Sequence, residues 1–400
     1  MSKSENEKAS QKTSPKICLC SIFRNESKNV YRCLNATKQI VDFISICDTG
    51  STDETKELIH KWGEENNIPT KVHAESFKSF SHNRTVAYQL AKESFPETDY
   101  FLLLDADMVL MVGDNFNKNL LDKDSYLVHQ GNWMINYLNI RLLSNKKPWQ
   151  CVLRTHEFWE LIPHTAEKLE GTLGKDWLWI DDKEDGGCKM DKFERDYKLL
   201  HEEIKDPIRE DVLPRCYFYL ANTCRTLYHN VVGDKSKDEK YAWESLKWYK
   251  KRIDAGGFYD EVYLSKMESG KLYENLGKYE MAAGLHLEAW NTNPARSESL
   301  YYLARMYRIM DVKHAFLVYT FSKIGKEIPL PKESLFVEFE IYDYLFDMEI
   351  AISSYYIGKT NEGKDAMKRL IKKYGRLNWE SKEFVKGNVV HYGLEIPRES

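Results

Sequence analysis

The feature of this sequence that most constrains its fold is the alternation of short apolar runs with amphipathic stretches between residues 16 and 110. We predict strands in four apolar runs, which read KICLCSIF, DFISIC, TKVHA and YFLLLD. Between the strands we predict helices over residues 28–38, 53–62 and 82–92. Strands that alternate with helices form a mainly parallel sheet, and such sheets bind ligands at the carboxyl ends of their strands. The pattern therefore predicts a Rossmann-like α/β domain, with Asp48 and Asp105 at two strand ends.

The start of the second predicted helix carries a capping pattern, STDE. In this pattern Ser51 can cap the helix while Glu54 reaches back to the cap. We therefore expect Ser51 to be the N-cap of this helix.

Two further patterns follow along the chain. Residues 112–199 mix Trp, Gly and charged loops, and we expect them to form a substrate-binding half built onto the same sheet. From about residue 207 the sequence becomes helical and rich in Tyr, Ala, Leu and Lys. We predict a disordered tail at residues 1–15, an α/β domain at residues 16–205 and an all-α domain at residues 206–400.

The helical part contains a repeat. Small, apolar and aromatic residues recur at a period of 34 residues, first as Gly270, Leu272 and Tyr273 and then as Ala304, Met306 and Tyr307. That period is typical of tetratricopeptide helix pairs. Residues 218–228 resemble an earlier copy and residues 352–370 a later one. The alternative is a helical bundle without repeats.

Composition excludes some classes of partner. The 58 basic and 62 acidic residues give a formal charge of −4, so the chain lacks the excess of cations that binding to nucleic acid requires. The first fourteen residues are polar, and no apolar run reaches the length of a transmembrane helix. The eight cysteines are scattered singly, which favours buried, reduced thiols. We expect a cytoplasmic protein without membrane insertion.

Two carboxylates, Asp105 and Asp107, follow the apolar run YFLLL. Side chains so close repel each other unless a cation compensates or one pKa is raised. A divalent ion held by oxygen ligands, with a diphosphate supplying further oxygens, would satisfy both acids. The alternative is a solvated turn at the end of a strand.

Four segments taken together are more specific than the acid pair alone: CSIFRNESKNVYRCLNA, DFISICDTGSTDET, SFSHNRTVAYQLA and DYFLLLDADM. In order and spacing they resemble the family 2 glycosyltransferases of the GT-A fold, over residues 16–111. The resemblance implies that Asp48 contacts the uracil end of a nucleotide and that Glu26 lies near the same end. It also implies that Arg84 helps to hold the nucleotide, while Asp105 faces the ribose and Asp107 binds the ion.

The chemistry of these residues agrees with those roles. A nucleobase that presents an N–H needs an acceptor at a strand end, and Asp48 is one. Gly50 and Ser51 after it let backbone and ligand approach closely. The alternatives are an ordinary turn for Asp48 and a structural arginine, bonded to strand-end carboxylates, for Arg84.

The segment RTHEFWELIPH offers a candidate for the catalytic base. Related sequences carry a His-Glu pair at this point, here His156 and Glu157. An inverting transferase needs a carboxylate within hydrogen-bond reach of the acceptor hydroxyl. We predict that Glu157 is the base, and the alternative is a surface Glu beside a packed His.

The segment DDKEDGGCKMDKFERD departs from the family pattern, in which a His-x-Gly motif completes the metal shell. This chain has Asp185-Gly186-Gly187 there. Asp185 can replace the histidine as a ligand, serve as the base in place of Glu157, or leave the ion one ligand short. The cations that follow could neutralise a leaving diphosphate or form a solvated helix face: Lys189, Lys192 and Arg195.

Aromatic residues between the acid pair and the His-Glu pair allow two interpretations. Trp133, Tyr137 and Trp149 could stack on sugar rings, but such residues are more often half-buried in packing. We favour packing for each of them.

The leading hypothesis is an inverting glycosyltransferase that uses a nucleotide sugar, with a UDP-sugar favoured, and Mn²⁺ or Mg²⁺. Helical repeats are usually peptide-binding or dimerising surfaces, so we expect a glycan, protein or peptide acceptor, or self-association through the helical domain. The alternative is an interaction protein whose sugar-nucleotide domain is inactive. A nucleotidyltransferase ranks last, because CSIFRNES contains no glycine for a phosphate loop.

Overall fold

A computed structural model describes residues 14–131, 136–186, 192–230, 235–331 and 334–396 of the chain. The chain divides into two units, with the boundary between Ile208 and Arg209, a few residues beyond the predicted one. All but the last two residues of the predicted tail lie outside the described part.

The N-terminal unit contains strands and helices. Its strands are β1 (Ile17–Phe23), β2 (Phe43–Asp48), β3 (Thr70–Ala74), β4 (Tyr100–Leu103), β5 (Met108–Val112), β6 (Ser125–Gly131), β7 (Asn136–Ser144), β8 (Trp149–Val152), β9 (Phe158–Leu161), β10 (Glu170–Leu173) and β11 (Leu178–Asp182). Its helices are α1 (Val30–Thr37), α2 (Thr55–Asn66), α3 (Phe80–Ser94) and α4 (Lys192–Lys205).

Nine strands of the described residues form one mixed sheet, in the order β3-β2-β1-β4-β7-β6-β11-β5 with β10 beside β6. The first four strands of the chain are parallel to one another, as predicted. The later strands extend the same sheet with both parallel and antiparallel pairs. Strands β8 and β9 form a separate antiparallel pair. The prediction of an α/β domain with a mainly parallel sheet is confirmed, since five of the eight strand pairs in the described sheet are parallel.

Strands β1, β2 and β4 are buried on both faces of the sheet, which explains their continuous apolar sequences. The residues of the edge strand β3 are only partly buried or exposed. In β1, Ile17 and Leu19 enter one core cluster, where helix α1 and helix α2 pack. Cys18 and Cys20 enter the cluster on the opposite face, where helix α3 packs. The sheet therefore lies between two layers, and its carboxyl edge is left for polar residues.

Two helices begin at other residues than predicted. Helix α3 begins two residues earlier than predicted, at Phe80, because Ser79 Oγ accepts the N–H of His82 at 3.2 Å. The predicted cap of helix α2 is wrong. This helix begins at Thr55, and Ser51 Oγ instead accepts the N–H of Asn25 from the neighbouring loop at 2.8 Å.

Helices are the only regular secondary structure among the described residues of the C-terminal unit, which confirms the predicted change of character. Its helices are α5 (Leu213–Asn230), α6 (Lys235–Ala255), α7 (Tyr259–Asn275), α8 (Tyr279–Thr292), α9 (Glu298–Met310), α10 (Ala315–Lys326), α11 (Phe346–Tyr356), α12 (Thr360–Lys372) and α13 (Trp379–Asn388). From α5 to α13, each helix packs against the next one along the chain.

The predicted repeat coincides with consecutive helix pairs. Gly270 lies in α7 and Ala304 at the matching place in α9, and both following apolar residues, Leu272 and Met306, are buried. The turns after α7 and α11 both contain a glycine with a left-handed backbone, Gly277 at φ 69° and Gly358 at φ 75°. These turns are alike because each must reverse the chain between two packed helices.

Two other expectations concern the chain as a whole. No helix of the described residues is long and apolar enough to cross a membrane. The seven cysteines in the described part are buried free thiols, as predicted, and Cys188 lies outside it.

Candidate active site at the carboxyl edge of the sheet

Acidic side chains gather at the carboxyl edge of the parallel strands. Asp48 is the last residue of β2, and Asp105 follows the end of β4 by two residues. Strand β1 lies between these two strands, so β2 and β4 are about 10 Å apart, which is twice the spacing of neighbouring strands. The edge therefore forms a site that one extended ligand could span.

Asp48 has one satisfied carboxylate oxygen and one unsatisfied one. Its Oδ1 accepts the N–H groups of Gly50 at 3.1 Å and Ser51 at 2.9 Å. Its Oδ2 is buried and accepts no hydrogen bond from any residue that the structure describes. Because a buried acceptor without a donor is costly, this oxygen is suited to bind an N–H group of a ligand.

Glu26 connects the loop after β1 to the rest of the edge. Its backbone N–H donates to Thr55 Oγ1, and its Oε2 accepts from the Asn29 side chain, both at 2.8 Å. A Cβ atom placed on Gly186 would lie 3.2 Å from Glu26 Oε1 and 2.9 Å from Asp107 Oδ2. The structure therefore places the Glu26 carboxylate beside Asp107.

Arg84 joins two of the predicted site residues. Its Nη2 donates to Asp105 Oδ1 and its Nε to Glu157 Oε1, each at 2.7 Å. All three side chains are largely buried. Burial alone would raise the pKa of Asp105, but Arg84 and Arg141 outweigh it and hold that pKa below its usual range. Arg84 thus fixes Glu157 next to the acid pair.

The sequence-based reasoning missed Arg141, a buried cation near Asp105. It lies in β7, and it donates to Gln130 Oε1 at 2.9 Å and to the carbonyl of Leu103 at 3.3 Å. A signal for it existed, because the segment YLNIRLL places one arginine within a strand-like run.

The surroundings of Asp107 carry an excess of negative charge. Burial, followed by the neighbouring carboxylates of Asp105 and Asp182, raises the pKa of Asp107. Two backbone N–H groups partly oppose this effect, that of Gly186, which donates to Oδ2 at 3.2 Å, and that of Asp107 itself. Such an environment fits a cation, because a divalent ion would relieve the repulsion between the acids.

The described acids near Asp107 do not form a complete set of metal ligands. Across the described ranges, no group of three or more His, Cys, Asp or Glu residues lies close enough to hold a metal ion. Both oxygens of Asp185 accept from the guanidinium of Arg32, at 2.8 and 2.5 Å. Asp185 is therefore engaged in an ion pair, and its role as a ligand or base stays a prediction.

Two of the predicted cations lie in the first turn of helix α4. Lys192 is its first residue and is exposed, while the Arg195 guanidinium lies 5.1 Å from the centre of the Phe80 ring. Lys189 and Gly187 lie outside the described residues. Their proposed contact with a diphosphate stays a prediction.

The three aromatic residues considered for stacking on sugar rings have different outcomes. Trp149 is buried and donates its ring N–H to the carbonyl of Ser144 at 2.9 Å, which confirms the packing interpretation. Tyr137 is exposed, and Trp133 lies outside the described residues.

Comparisons with known proteins find partial likenesses only. No protein-family model matches the chain, and no curated protein sequence matches it significantly. A tetratricopeptide repeat protein from Parabacteroides merdae is 15% identical over 49% of this chain and 68% of its own, with a TM-score of 0.35. S. aureus TarS is 13% identical over 67% of this chain, with a TM-score of 0.33.

The TarS likeness spans 54% of that protein's chain. A TarS fragment, residues 1–349 in complex with UDP, is 14% identical over 69% of this chain and 91% of its own, with a TM-score of 0.30. Because these identities and TM-scores are low, we infer the function from this chain's own residues.

Proposed function

We propose that the N-terminal unit is a glycosyltransferase of the GT-A type that uses a nucleotide-sugar donor, with a UDP-sugar favoured. The observation that carries the proposal is the buried Oδ2 of Asp48, which has no donor among the described residues. It lies at the same sheet edge as the Asp105–Arg84–Glu157 chain of ion pairs. The uracil N3–H is a donor of the kind that this oxygen lacks. The resemblance of the four N-terminal segments to family 2 enzymes supports the same assignment.

The remaining acids suit the other parts of such a donor. Asp105 is held ionised by its arginine neighbours and can accept from ribose hydroxyls. Asp107 and Asp105 would hold Mn²⁺ or Mg²⁺ through carboxylate oxygens. When bound, this ion supplies positive charge to the diphosphate as it leaves.

The reaction we propose is a single displacement with inversion. An acceptor oxygen, or another nucleophile, forms a bond to the anomeric carbon while the bond from that carbon to the diphosphate oxygen breaks. The bonding electron pair leaves with the nucleoside diphosphate, and the acceptor proton passes to Glu157. Arg84 donates to one oxygen of Glu157, Oε1, whereas Arg32 donates to both oxygens of Asp185. This difference supports Glu157 over Asp185 as the base.

Features of the helical unit support the hypothesis that the acceptor or partner is a protein or peptide. It exposes several large aromatic side chains, among them Phe316, Tyr355, Tyr356 and Trp379. Exposed aromatic residues are enriched at protein interfaces. The same observation supports the second candidate, a tetratricopeptide-like interaction protein with an inactive nucleotide domain, and nucleotide binding separates the two.

The decisive experiment measures UDP affinity by calorimetry, with and without Mn²⁺, for the wild type and for Asp48→Asn. The asparagine keeps an oxygen for Gly50 and Ser51 but presents an amide in place of Oδ2. We expect affinity to fall about 10- to 100-fold, as for the loss of a hydrogen bond to a charged group. Asp114→Asn, the same change at an exposed site after β5, should leave the affinity unchanged.

Two outcomes would overturn parts of this proposal. If the wild type binds neither UDP nor any UDP-sugar with either metal, the interaction-protein candidate replaces it. If Asp48→Asn binds UDP as tightly as the wild type, Asp48 does not read the base.

A second comparison assigns the catalytic base. Glu157→Gln should bind the donor normally yet lose transfer. The assignment to Glu157 is wrong if Asp185→Asn alone shows that behaviour while Glu157→Gln remains active.

A further inference from the structure

The loop that carries Glu157 has an unfavourable backbone conformation. It joins β8 to β9, and two of its non-glycine residues have left-handed backbones, Leu153 at φ 74° and His156 at φ 54°. Such conformations are unfavourable for residues with a Cβ atom and persist only where surrounding contacts hold them. Something outside the loop must therefore determine its shape.

Helix α4 supplies contacts of this kind through two buried carboxylates, which lie two helical turns apart on one face. Asp196 is 3% exposed, and its Oδ1 accepts the hydroxyl of Thr155 at 3.0 Å. Glu203 is 4% exposed, and its Oε2 accepts the backbone N–H of Arg154 at 3.0 Å. Both acids therefore hold residues of the loop.

Helix α3 holds the loop from another direction. The N–H of Phe80, the first residue of this helix, donates to the carbonyl of Arg154 at 3.0 Å. Just before the loop, the N–H of Cys151 donates to Thr85 Oγ1 at 3.0 Å. Both backbone groups of Arg154 are thus engaged, one by α4 and one by α3.

Buried carboxylates are a costly way to stabilise a fold. Burial raises the pKa of Asp196, and the hydrogen bond from Thr155 and the charges of Arg195 and Lys192 only partly oppose it. An apolar residue at this position would avoid the cost of desolvation. What the carboxylates provide, and an apolar contact does not, is a directed hydrogen bond to one chosen atom of the loop.

We propose that Asp196 and Glu203 are positioning residues, which hold residues 153–157 in the shape that sets Glu157 against Arg84. The inference rests on the proposed function, because Glu157 is the base there. Thr155 and the Arg154 backbone transmit the effect, and neither acid contacts the reacting atoms. Helix α4 thereby acquires a role in the chemistry that its charged, amphipathic sequence alone does not indicate.

The test removes one hydrogen bond of the loop and keeps the shape of the side chain. In Thr155→Val we expect kcat for hydrolysis of a UDP-sugar to fall about 10- to 100-fold, as for a misplaced catalytic group. KM and the affinity for UDP should stay within about twofold, because the donor-binding acids are untouched. Thr155→Ser, which restores the hydroxyl, should restore kcat.

A control and a double mutant separate positioning from general stability. Thr37 is also buried and donates its hydroxyl to the Leu34 carbonyl at 3.0 Å, so Thr37→Val loses an equivalent bond in α1 and should keep kcat. In a Glu157→Gln background, Thr155→Val should lower kcat no further, because both changes act through one group. Additive losses in the double mutant would overturn the proposal.

Hydrogen exchange tests the loop without any turnover. The amides of residues 153–157 should exchange about tenfold faster in Thr155→Val and in Glu203→Gln than in the wild type, with little change in Thr37→Val. Unchanged exchange overturns the positioning role. Faster exchange in a protein whose wild type turns over no UDP-sugar would support the control of the loop by α4 and overturn the proposed function alone.

Discussion

Asp105 and Asp107 are two residues apart in sequence but lie in different electrostatic surroundings. Arg84 donates to Asp105 at 2.7 Å, and with Arg141 it holds the pKa of Asp105 low against the effect of burial. Asp107 has an N–H of Gly186 on Oδ2, and burial with two nearby carboxylates raises its pKa. Asp105 thus already has cationic neighbours, whereas Asp107 has neighbouring carboxylates and is the acid better suited to bind a cation.

A buried histidine in the helical unit shows how one residue can make stability depend on pH. His286 in α8 is fully buried, and neither ring nitrogen has a hydrogen-bond partner among the described residues. Burial, together with the charges of Lys271 and Arg305, lowers the pKa of His286 to about 3. The folded chain therefore keeps this imidazole neutral.

The pH dependence follows from this lowered pKa. Below pH ~6.5 the unfolded chain binds a proton at His286 that the folded chain does not bind until about pH 3. The contribution of this residue to stability is present above pH ~6.5 and falls by about 1.4 kcal/mol per pH unit below it. We expect His286→Leu to gain about 2 kcal/mol relative to the wild type between pH 6.5 and pH 5, as measured by urea unfolding.

An exposed histidine of the same unit provides the control. His391 is exposed, and His391→Leu should keep the pH dependence of the wild type. Parallel stability curves for wild type and His286→Leu would contradict the prediction.

At the scale of elements, the helix pairs are held at short distance by small residues of the repeat. A Cβ atom added to Gly270 in α7 would lie 2.8 Å from two ring atoms of His286 in α8. Gly284 in α8 is the opposite case, because a Cβ atom there would meet no atom within 4 Å. The same substitution should therefore have opposite effects at these two positions.

We expect Gly270→Ala to lower the free energy of unfolding by about 1 to 3 kcal/mol, since the buried ring must shift. Gly284→Ala should raise it by about 0.5 to 1 kcal/mol, because alanine loses less backbone entropy in a helix. Both are measured by urea unfolding at pH 7. Equal effects at the two sites would mean that packing against His286 does not determine the residue at position 270.

The elements also show where local sequence patterns were sufficient. Strands β1, β2 and β4 lie where apolar runs were predicted, because these runs are buried on both faces of the sheet whatever their neighbours are. The edge strand β3 also lies where it was predicted, although its residues are only partly buried or exposed. The capping prediction for α2 was wrong, because Ser51 accepts from Asn25 in a loop that a local pattern does not include. The periodicity of apolar residues shows which residues of a segment are buried. The hydrogen-bond partner of a side chain can belong to a second segment, which the periodicity does not show.

At the scale of the whole molecule, every proposed donor-binding residue precedes the unit boundary after Ile208. We therefore expect a fragment of residues 14–208 to bind UDP within about tenfold of the full chain, that is within about 1.4 kcal/mol. Calorimetry measures this, and circular dichroism checks that the fragment is folded.

The fragment needs its own control. Asp48→Asn in the same fragment should weaken binding as it does in the full chain. A folded fragment that binds no UDP, while the full chain does, would show that the donor site needs the helical unit.

The sequence alone determined the classes of structure and the kinds of side chain at the sheet edge. Strands, helices and the 34-residue repeat follow from periodic burial, which each segment records in its own residues. The acids at the end of β2 and just after β4 follow from the ends of apolar runs. The sequence also pointed to Arg84 and Glu157 as separate candidates.

Only the tertiary structure decided which charges meet. Arg84 pairs with Glu157 across 73 residues and Arg32 with Asp185 across 153, and no local pattern records a contact at such separations. The same is true of the hydrogen bonds between α4 and the loop before Glu157. The physical reason is that burial can be read from one segment, whereas an ion pair or a directed hydrogen bond exists only after folding has brought two segments within about 3 Å.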